Sequence, residues 1–282
     1  MKWQDCMSDG TMGNLGRDLI IRDQGLSLVL ADGNEWLFVG DDASASAIVS
    51  KLGMILQLES MMGASCKTSV GTPRKRDDRK PSDEEGRQLY DTFIQMMKII
   101  YRGVLNRNGL FLHGALAERK GSGVILAGPS GVGKTTASIR LPSPWRSLSD
   151  DLTLVVRDDQ GRYWGHPWPG WSFFWDRNKS GRKWDSSYAV PLKGLFFLAQ
   201  APEDKAESIG TGRATGMLLE TAKQASGRLD ARSSDEDLLS MNLQLFNNAC
   251  IMAKSIKSFT LNVSLNGQFW NEMDLALNYP IS

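Results

Sequence analysis

The sequence predicts an α/β protein built around a glycine-rich loop, with a small β-rich α/β domain at its N-terminus. Two observations predict this fold. The loop at residues 128–136 follows a short apolar strand pattern, and strand-type and helix-type segments continue to alternate as far as residue 265. The 282 residues, 41% of them apolar, suffice to bury a full core without disulfides or a metal.

Composition and charge argue against several classes of protein. With 33 basic and 32 acidic side chains the chain has almost no net charge, so a general binder of nucleic acid or membrane surfaces is not expected. No apolar run approaches the roughly 20 residues of a membrane-spanning helix, so a cytoplasmic protein is expected. The cysteines, Cys6, Cys66 and Cys250, are far apart and are expected to be free thiols.

The first 63 residues are predicted to form the small N-terminal domain. Residues 18–40 contain three short apolar runs separated by Asp-Gln-Gly and Asp-Gly-Asn, which is typical of a small antiparallel sheet. Residues 43–62 carry apolar residues at mixed helical spacing, which predicts a helix. Residues 64–81 have few apolar side chains and predict a linker or mobile loop. The acidic residues among its basic ones favour a solvated loop over a polyanion-binding patch.

The second predicted domain covers residues 82–282 and begins with a helix over residues 83–105. Ser82 and Glu85 form a capping box at its start. The apolar side chains of this helix recur every three to four residues, at Leu89, Phe93, Met96, Ile100 and Val104. A strand over Leu110–Glu118 and a strand over Gly123–Ala127 follow, and the short turn between them predicts a hairpin.

The loop after the second of these strands matches the pattern G-x-x-x-x-G-K-[ST] between a predicted strand and a predicted helix. Its glycines allow backbone N–H groups to surround phosphate oxygens, Lys134 supplies positive charge to the β- and γ-phosphates, and the Thr135 hydroxyl can ligate Mg²⁺. A nucleoside triphosphate, expected to be ATP, with Mg²⁺ is therefore the predicted ligand. The loop residues predicted to bind it are Gly128, Pro129, Ser130, Gly131, Val132, Gly133, Lys134, Thr135 and Thr136.

Two adjacent carboxylates, Asp150 and Asp151, follow the loop by a short distance along the chain. A short helix over Thr135–Arg140 fits between them and the loop, and a strand over Leu152–Arg157 comes next. We expect the pair at the carboxyl end of a strand beside the loop strand. Adjacent extended residues point in opposite directions, so one carboxylate can hold Mg²⁺ while the other accepts a proton. A polar turn is the alternative.

The two histidines lie near this segment. His113 falls within the predicted strand before the loop, where a single histidine is usually packed. His166 lies in a segment whose tryptophans, including Trp168, have helical spacing, but the glycines and prolines among them exclude a helix. The segment predicts either an aromatic loop that covers a substrate or a tryptophan-rich part of the core.

The C-terminal part is predicted to complete the second domain. A buried strand is expected over Val190–Ala199, helices over residues 214–225 and 235–257, and a closing strand over Phe259–Leu265. The positions of the long helix that we expect in the core are Leu238, Met241, Leu243, Leu245, Ala249, Met252 and Ile256.

HGALAERKGSGVILAGPSGVGKTTASIRL followed by SLSDDLTLV resembles the catalytic core of the HPr serine kinase/phosphorylase family. The His-Pro-Trp-Pro segment and the strand PLKGLFFL resemble short HPr-kinase-like proteins of peptide-modification cassettes, and the whole resemblance covers about residues 88–225. It implies a P-loop, carboxykinase-like core with ATP and Mg²⁺ as cofactors. By resemblance, His113 is the active-site histidine, Thr135 a metal ligand and Asp151 the proton acceptor, with Asp150 nearer the metal.

The chain departs from the family in one motif. A later Asn-Glu-Val-Arg-Gly stretch, which carries a metal-binding glutamate and supports dephosphorylation in the family, is absent from this sequence. A phosphatase or phosphorylase activity therefore stays open. The nearest glycine-rich candidate, residues 209–216, contains Arg213 as a candidate phosphate-binding side chain.

We therefore expect a cytoplasmic ATP-dependent P-loop kinase that phosphorylates a serine on a peptide or small protein, without nucleic-acid or membrane partners. Homo-oligomerisation is left open. The expected catalytic residues are His113, Lys134, Asp150 and Asp151, and the candidates for acceptor contact are His166, Trp168 and Arg213. A small-molecule kinase is one alternative, because the core also resembles that of carboxykinases and free-serine kinases. A nucleotide-gated binding module without phosphoryl transfer is another.

Overall fold

The computed structural model describes residues 25–33, 35–39, 59–60, 83–170, 184–227, 229 and 235–279, and there the protein is an α/β fold with a mixed sheet. Its strands are β1 (Gly25–Val29), β2 (Glu35–Val39), β3 (Glu59–Ser60), β4 (Leu110–Leu112), β5 (Gly114–Arg119), β6 (Ser122–Ala127), β7 (Trp145–Ser149), β8 (Leu152–Arg157), β9 (Tyr163–Trp168), β10 (Val190–Gln200), β11 (Lys205–Ser208) and β12 (Lys257–Val263). Its helices within these ranges are α1 (Asp83–Asn106), α2 (Lys134–Arg140), α3 (Thr211–Ser226), α4 (Asp235–Ser255) and α5 (Phe269–Ala276).

The central strands of the larger sheet are parallel. β6 pairs with β10, and β10 pairs with β12, in both cases in parallel. β5 pairs antiparallel with β6 on one side and with β7 on the other, so β7 runs in the same direction as β6. The carboxyl ends of β6, β7 and β10 therefore meet at one edge of the sheet, which is the edge where α/β proteins bind ligands.

A second group of strands, β4, β8 and β9, is joined to this sheet. β8 pairs antiparallel with both β4 and β9, and β9 meets β10 at Val190 and Pro191. The chain crosses between the two groups at His113, between β4 and β5, and again at Asp150 and Asp151, between β7 and β8. Because β4 neighbours β8 and β5 neighbours β7, the two crossings lie side by side.

Strand alternation places apolar side chains on both faces of the larger sheet. Val124 and Leu126 of β6 belong to a core that includes residues of α2 and α5. Ile125 and Ala127 of the same strand belong to a larger core that includes residues of α1, α3 and α4. Helices thus cover both faces, as expected for a sheet with parallel strands.

The N-terminal hairpin packs against the larger core. β1 and β2 pair antiparallel, with Val29 opposite Glu35, which confirms an antiparallel sheet within residues 18–40. Leu28 and Leu30 are buried in the same cluster as α1. The backbone N–H of Ala31 donates a hydrogen bond to Nε2 of His166, with an N···N distance of 3.2 Å.

Several predicted elements are confirmed. The predicted helix over residues 83–105 is α1, and the predicted hairpin before the glycine-rich loop is β5 and β6. Its turn consists of Lys120 and Gly121, both with positive φ, as a two-residue hairpin turn requires. The C-terminal strands and helices are β10, α3, α4 and β12, whereas the sequence patterns did not predict the short helix α5.

The predicted strand over Leu110–Glu118 is wrong in one respect, because it is broken at His113. A Cβ at Gly114 would lie 2.8 Å from Cγ2 of Ile125, so the chain approaches β6 closely as it changes from one strand group to the other. The prediction that the strand before Asp150 lies directly beside the strand before the glycine-rich loop is also wrong. β5 lies between β6 and β7, so the strand that precedes Asp150 is one strand further away, although it ends at the same edge.

Of the two interpretations of the segment around His166, the covering loop is wrong for residues 163–168, which form β9, and the core position is confirmed for the fully buried Trp168. Residues 171–175 of that segment lie outside the described ranges. Pro167 is tolerated because β10 pairs with β9 at Trp164 and Gly165, before the proline, so a missing N–H on that side breaks no bond. Leu243 was expected in the core but is 57% exposed on the outer face of α4. Residues 59 and 60, within the predicted helix over residues 43–62, pair with β1 as a strand.

Other predictions fall on residues outside the described ranges: the rest of the helix over residues 43–62, the linker over residues 64–81, the Ser82 cap, Cys6 and Cys66. Cys250 is a free thiol, as predicted. No helix in the described part of the chain combines the length and apolar character needed to cross a membrane.

Candidate active site

The glycine-rich loop connects the carboxyl end of β6 to the start of α2. Gly128, Gly131 and Gly133 have φ values of 152°, 81° and 104°, which side chains other than glycine rarely adopt. A Cβ at Gly131 or Gly133 would have no neighbour within 4 Å, so the chain leaves open space beside these two residues. The end of β10 supports the loop, because Nε2 of Gln200 lies 3.4 Å from the carbonyl oxygens of Gly131 and Val132.

Lys134 turns its side chain back into this loop. Its Nζ donates hydrogen bonds to the carbonyl oxygens of Gly128 and Pro129, at 2.9 and 3.0 Å. The residue is 6% exposed, and burial lowers the pKa of its ammonium group, whereas the negative charge of Asp151 opposes that shift. The loop therefore contains a buried positive charge that interacts with a carboxylate from the neighbouring crossing.

The His113 ring is held by residues from two directions. Its Nε2 lies 3.1 Å from Oδ1 of Asp151, and its Nδ1 lies 2.8 Å from Oε1 of Gln224. The backbone N–H of His113 donates to the carbonyl oxygen of Thr221, at 3.1 Å. The crossing of the chain at His113 thus fixes the ring between α3 and the second crossing.

Asp151 stands between His113 and the end of β9. Its side chain is 24% exposed, so one part of the carboxylate is accessible from solvent. A Cβ at Gly170 would overlap Oδ2 of Asp151, which means that only a glycine allows the carboxylate its observed position. Oδ1 faces His113 and Oδ2 lies beside Gly170, so both oxygens are in defined surroundings.

Thr135 and Asp150 are the two residues expected to contribute oxygen atoms to a magnesium site. Thr135 is exposed in the first turn of α2, and Asp150 is buried directly after β7, at the same edge of the sheet. No group of three or more His, Cys, Asp and Glu side chains that could hold a metal occurs within the described residues. Mg²⁺ typically uses one or two protein oxygens together with water and substrate phosphates, so the donors present fit this ion.

The three candidates for acceptor contact lie elsewhere. His166 and Trp168 are fully buried in β9, and burial lowers the pKa of His166 to about 4. Arg213 is exposed in the first turn of α3, where its charge lowers the pKa of Glu207 along with the larger effect of Lys205. Thr221 of the same helix is the residue that contacts His113, and eight residues of helix place Arg213 roughly 12 Å from it.

Two residues near the carboxylate had no signal in the sequence. Gln224 contacts His113 from α3, and Gly170 borders Asp151 after β9. In the sequence, a glutamine in an amphipathic helix cannot be distinguished from any other exposed polar residue. Gly170 follows Pro169 in a segment where the glycines and prolines had been attributed to a loop.

The fold and the site together define an α/β protein with a lysine-containing glycine-rich loop and a histidine–carboxylate pair at the carboxyl edge of a mixed sheet. The family model of the SynChlorMet cassette protein ScmC matches residues 80–278, well over half of the chain. The chain therefore belongs to this family, as its resemblance to cassette-encoded proteins indicates. Comparison with curated proteins finds no match.

Proposed function

We propose that this protein is an ATP-dependent kinase that transfers the γ-phosphoryl group to a serine hydroxyl on a peptide or small protein. The observation that carries the proposal is that the buried Nζ of Lys134, hydrogen-bonded within the glycine-rich loop, and the Asp151–His113 pair lie at the same edge of the sheet. Phosphoryl transfer to a hydroxyl needs a positive charge at the phosphates and a carboxylate placed to receive a proton. These residues supply both groups.

The chemical step assigns a separate task to each group. The acceptor oxygen forms a bond to the γ-phosphorus while the bond from that phosphorus to the bridging oxygen breaks, and its electron pair leaves with ADP. Asp151 accepts the hydroxyl proton, Lys134 stabilises charge on the transferring group, and His113 holds the carboxylate. Mg²⁺ bound through Thr135 and Asp150 would neutralise charge on the phosphate oxygens.

Two observations support a serine on a peptide or small protein as the acceptor. Asp151 is partly exposed, so a hydroxyl on a large molecule can reach it from solvent. The segments around His113 and Asp151 resemble the core of the HPr serine kinase family, whose acceptor is a serine in a small protein. Residues 163–168 of the aromatic segment form the paired strand β9, so this part of the segment does not support a nucleotide-gated loop.

The proposal is tested by incubating the purified protein with MgATP alone, with free serine, and with a library of serine-containing peptides. We expect ADP release that depends on peptide and equals the phosphopeptide formed. The same assay is run with Asp151→Asn, which should lose peptide phosphorylation. Asp159→Asn is its control and should keep it, because Asp159 is exposed in the turn between β8 and β9. Phosphorylation of free serine in preference to peptides would instead favour a small-molecule kinase, and no transfer to either acceptor would contradict the proposal.

A further inference from the structure

We propose that Gln224 is a positioning residue for this site. Its side-chain oxygen accepts a hydrogen bond from Nδ1 of His113 and thereby orients the ring so that Nε2 faces Asp151. The effect on phosphoryl transfer rests on the proposed function, whereas the hydrogen-bond arrangement can be measured without any activity.

Helix α3 delivers Gln224 to the ring through two contacts. The carbonyl oxygen of Thr221 accepts the backbone N–H of His113, at 3.1 Å, and fixes the helix against the crossing between β4 and β5. Gln224 lies one turn further along the same helix and places Oε1 at 2.8 Å from Nδ1 of His113. Backbone and side chain of His113 are therefore both held by α3.

The orientation of the Gln224 amide is set by Glu220. Nε2 of Gln224 donates to Oε1 of Glu220 at 3.3 Å, and residues four apart on a helix are neighbours on one face. The amide group therefore turns its oxygen, rather than its NH₂ group, to the histidine ring. An amide oxygen only accepts hydrogen bonds, so Nδ1 of His113 must carry a hydrogen.

This hydrogen-bond arrangement determines which atom of His113 faces the carboxylate of Asp151. Nε2 of His113 lies 3.1 Å from the carboxylate oxygen Oδ1 of Asp151. A carboxylate oxygen only accepts hydrogen bonds, so a hydrogen bond between these atoms needs a hydrogen on Nε2. The ring is thus held at both nitrogens, and Oδ1 has a fixed partner. Without Gln224, Nδ1 loses its accepting partner and the ring can rotate, so the carboxylate loses its fixed orientation. Catalytic groups tolerate only small displacements of this kind.

Three variants separate this role from a structural one. Gln224→Leu removes the accepting oxygen, Gln224→Glu keeps an accepting oxygen, and Lys223→Leu alters the adjacent exposed position as a matched control. The ¹⁵N chemical shifts of the histidine rings report which nitrogen carries hydrogen. The chain has two histidines, and His166 is an internal reference whose Nδ1 lies 2.9 Å from the carbonyl oxygen of Ser186.

We expect a protonated Nδ1 signal for His113 in the unmodified protein, in Gln224→Glu and in Lys223→Leu, and a loss of that signal in Gln224→Leu with His166 unchanged. In the kinase assay, Gln224→Leu should lower kcat on the order of tenfold to a hundredfold without changing KM for ATP, and Gln224→Glu should restore it. Identical His113 signals in Gln224→Leu and the unmodified protein would overturn the proposed geometry.

The kinetic result decides the catalytic part separately. A changed His113 signal in Gln224→Leu with an unchanged kcat would overturn the positioning role. An unmodified protein that shows the expected His113 signal but transfers no phosphate would refute the proposed function and the positioning role with it, while leaving the hydrogen-bond arrangement established.

Discussion

Nε2 of His113 lies 3.1 Å from Oδ1 of Asp151 because these residues occupy the two adjacent crossings between strand groups. Hydrogen bonds fix the crossings to one another. The Thr153 hydroxyl donates to the carbonyl oxygen of Gly114 at 2.8 Å, and the Ser149 hydroxyl accepts the backbone N–H of Leu116 at 3.2 Å. The position of the pair is therefore determined by the topology of the sheets as well as by its own contact.

Asp151→Asn should lower phosphoryl transfer about 10²–10⁴-fold while ATP and Mg²⁺ binding persist. The substitution is nearly isosteric but replaces one carboxylate oxygen by an NH₂ group, which cannot accept the hydroxyl proton as the proposed mechanism requires. Single-turnover kinetics at saturating MgATP measure this effect. Recovery of the Asp151→Asn variant by excess Mg²⁺ would show that Asp151 serves the metal and that our assignment of the two carboxylates is inverted.

Asp150→Asn should raise the Mg²⁺ concentration needed for half-maximal activity, because it removes a charged oxygen from the expected metal site. A magnesium titration at constant ATP measures the shift. Asp159→Asn, in an exposed turn, should leave the titration curve unchanged. Full activity of both Asp150→Asn and Asp151→Asn at low Mg²⁺ would mean that the pair is a polar turn.

Gly170→Ala should lower kcat on the order of 10²-fold, since the added methyl group overlaps Oδ2 of Asp151 and displaces the carboxylate. ATP affinity should be retained, because the atoms nearest to a Cβ at Gly170 all belong to Asp151. Gly216→Ala is a suitable control, as a Cβ at Gly216 meets no atom within 4 Å. If Gly170→Ala keeps full activity, the observed position of Asp151 is not required for transfer.

Local sequence patterns predicted the parts of the site whose structure depends on residues close together in the sequence. The strand, glycine-rich loop and helix from Ser122 to Arg140 follow from turn residues and apolar alternation, and α1 follows from its periodicity. The break at His113 was not predictable, because the apolar alternation continues through it. Gln224 could not be found because its role depends on how α3 packs against β4, which a helical pattern does not specify.

Trp168→Ala should reduce the free energy of unfolding by about 3–5 kcal/mol, because the indole is fully buried and its ring packs edge-on against Phe111 at a centroid distance of 5.8 Å. Thermal or denaturant unfolding measures the loss. Trp168→Phe keeps an aromatic ring in the core and should cost less. An unchanged unfolding midpoint in Trp168→Ala would contradict the core position and return the residue to the acceptor candidates.

Stability should decrease as the pH falls from about 6.5 towards 4, because burial lowers the pKa of His166 to about 4 in the folded protein. The unfolded chain, with an ordinary histidine pKa of about 6.5, binds a proton in this range that folded His166 does not bind. Protonation also ends the hydrogen bond that Nε2 accepts from Ala31.

The measurement is the pH dependence of the unfolding free energy in the unmodified protein and in His166→Gln. The difference between the two slopes isolates His166, because the carboxylates and His113 are common to both proteins. Equal slopes between pH 6.5 and 4 would show that His166 is not held neutral in the folded state.

Lys134→Ala provides the most direct test of the kinase account. The substitution removes the buried positive charge of the glycine-rich loop, which in the proposed mechanism stabilises the transferring phosphoryl group. Mass spectrometry of serine-containing peptides incubated with MgATP should show a gain of one phosphate on serine with the unmodified protein. That gain should fall by about two orders of magnitude or more with the folded Lys134→Ala variant. Equal phosphate incorporation by both proteins, or none by the unmodified protein, would contradict the account.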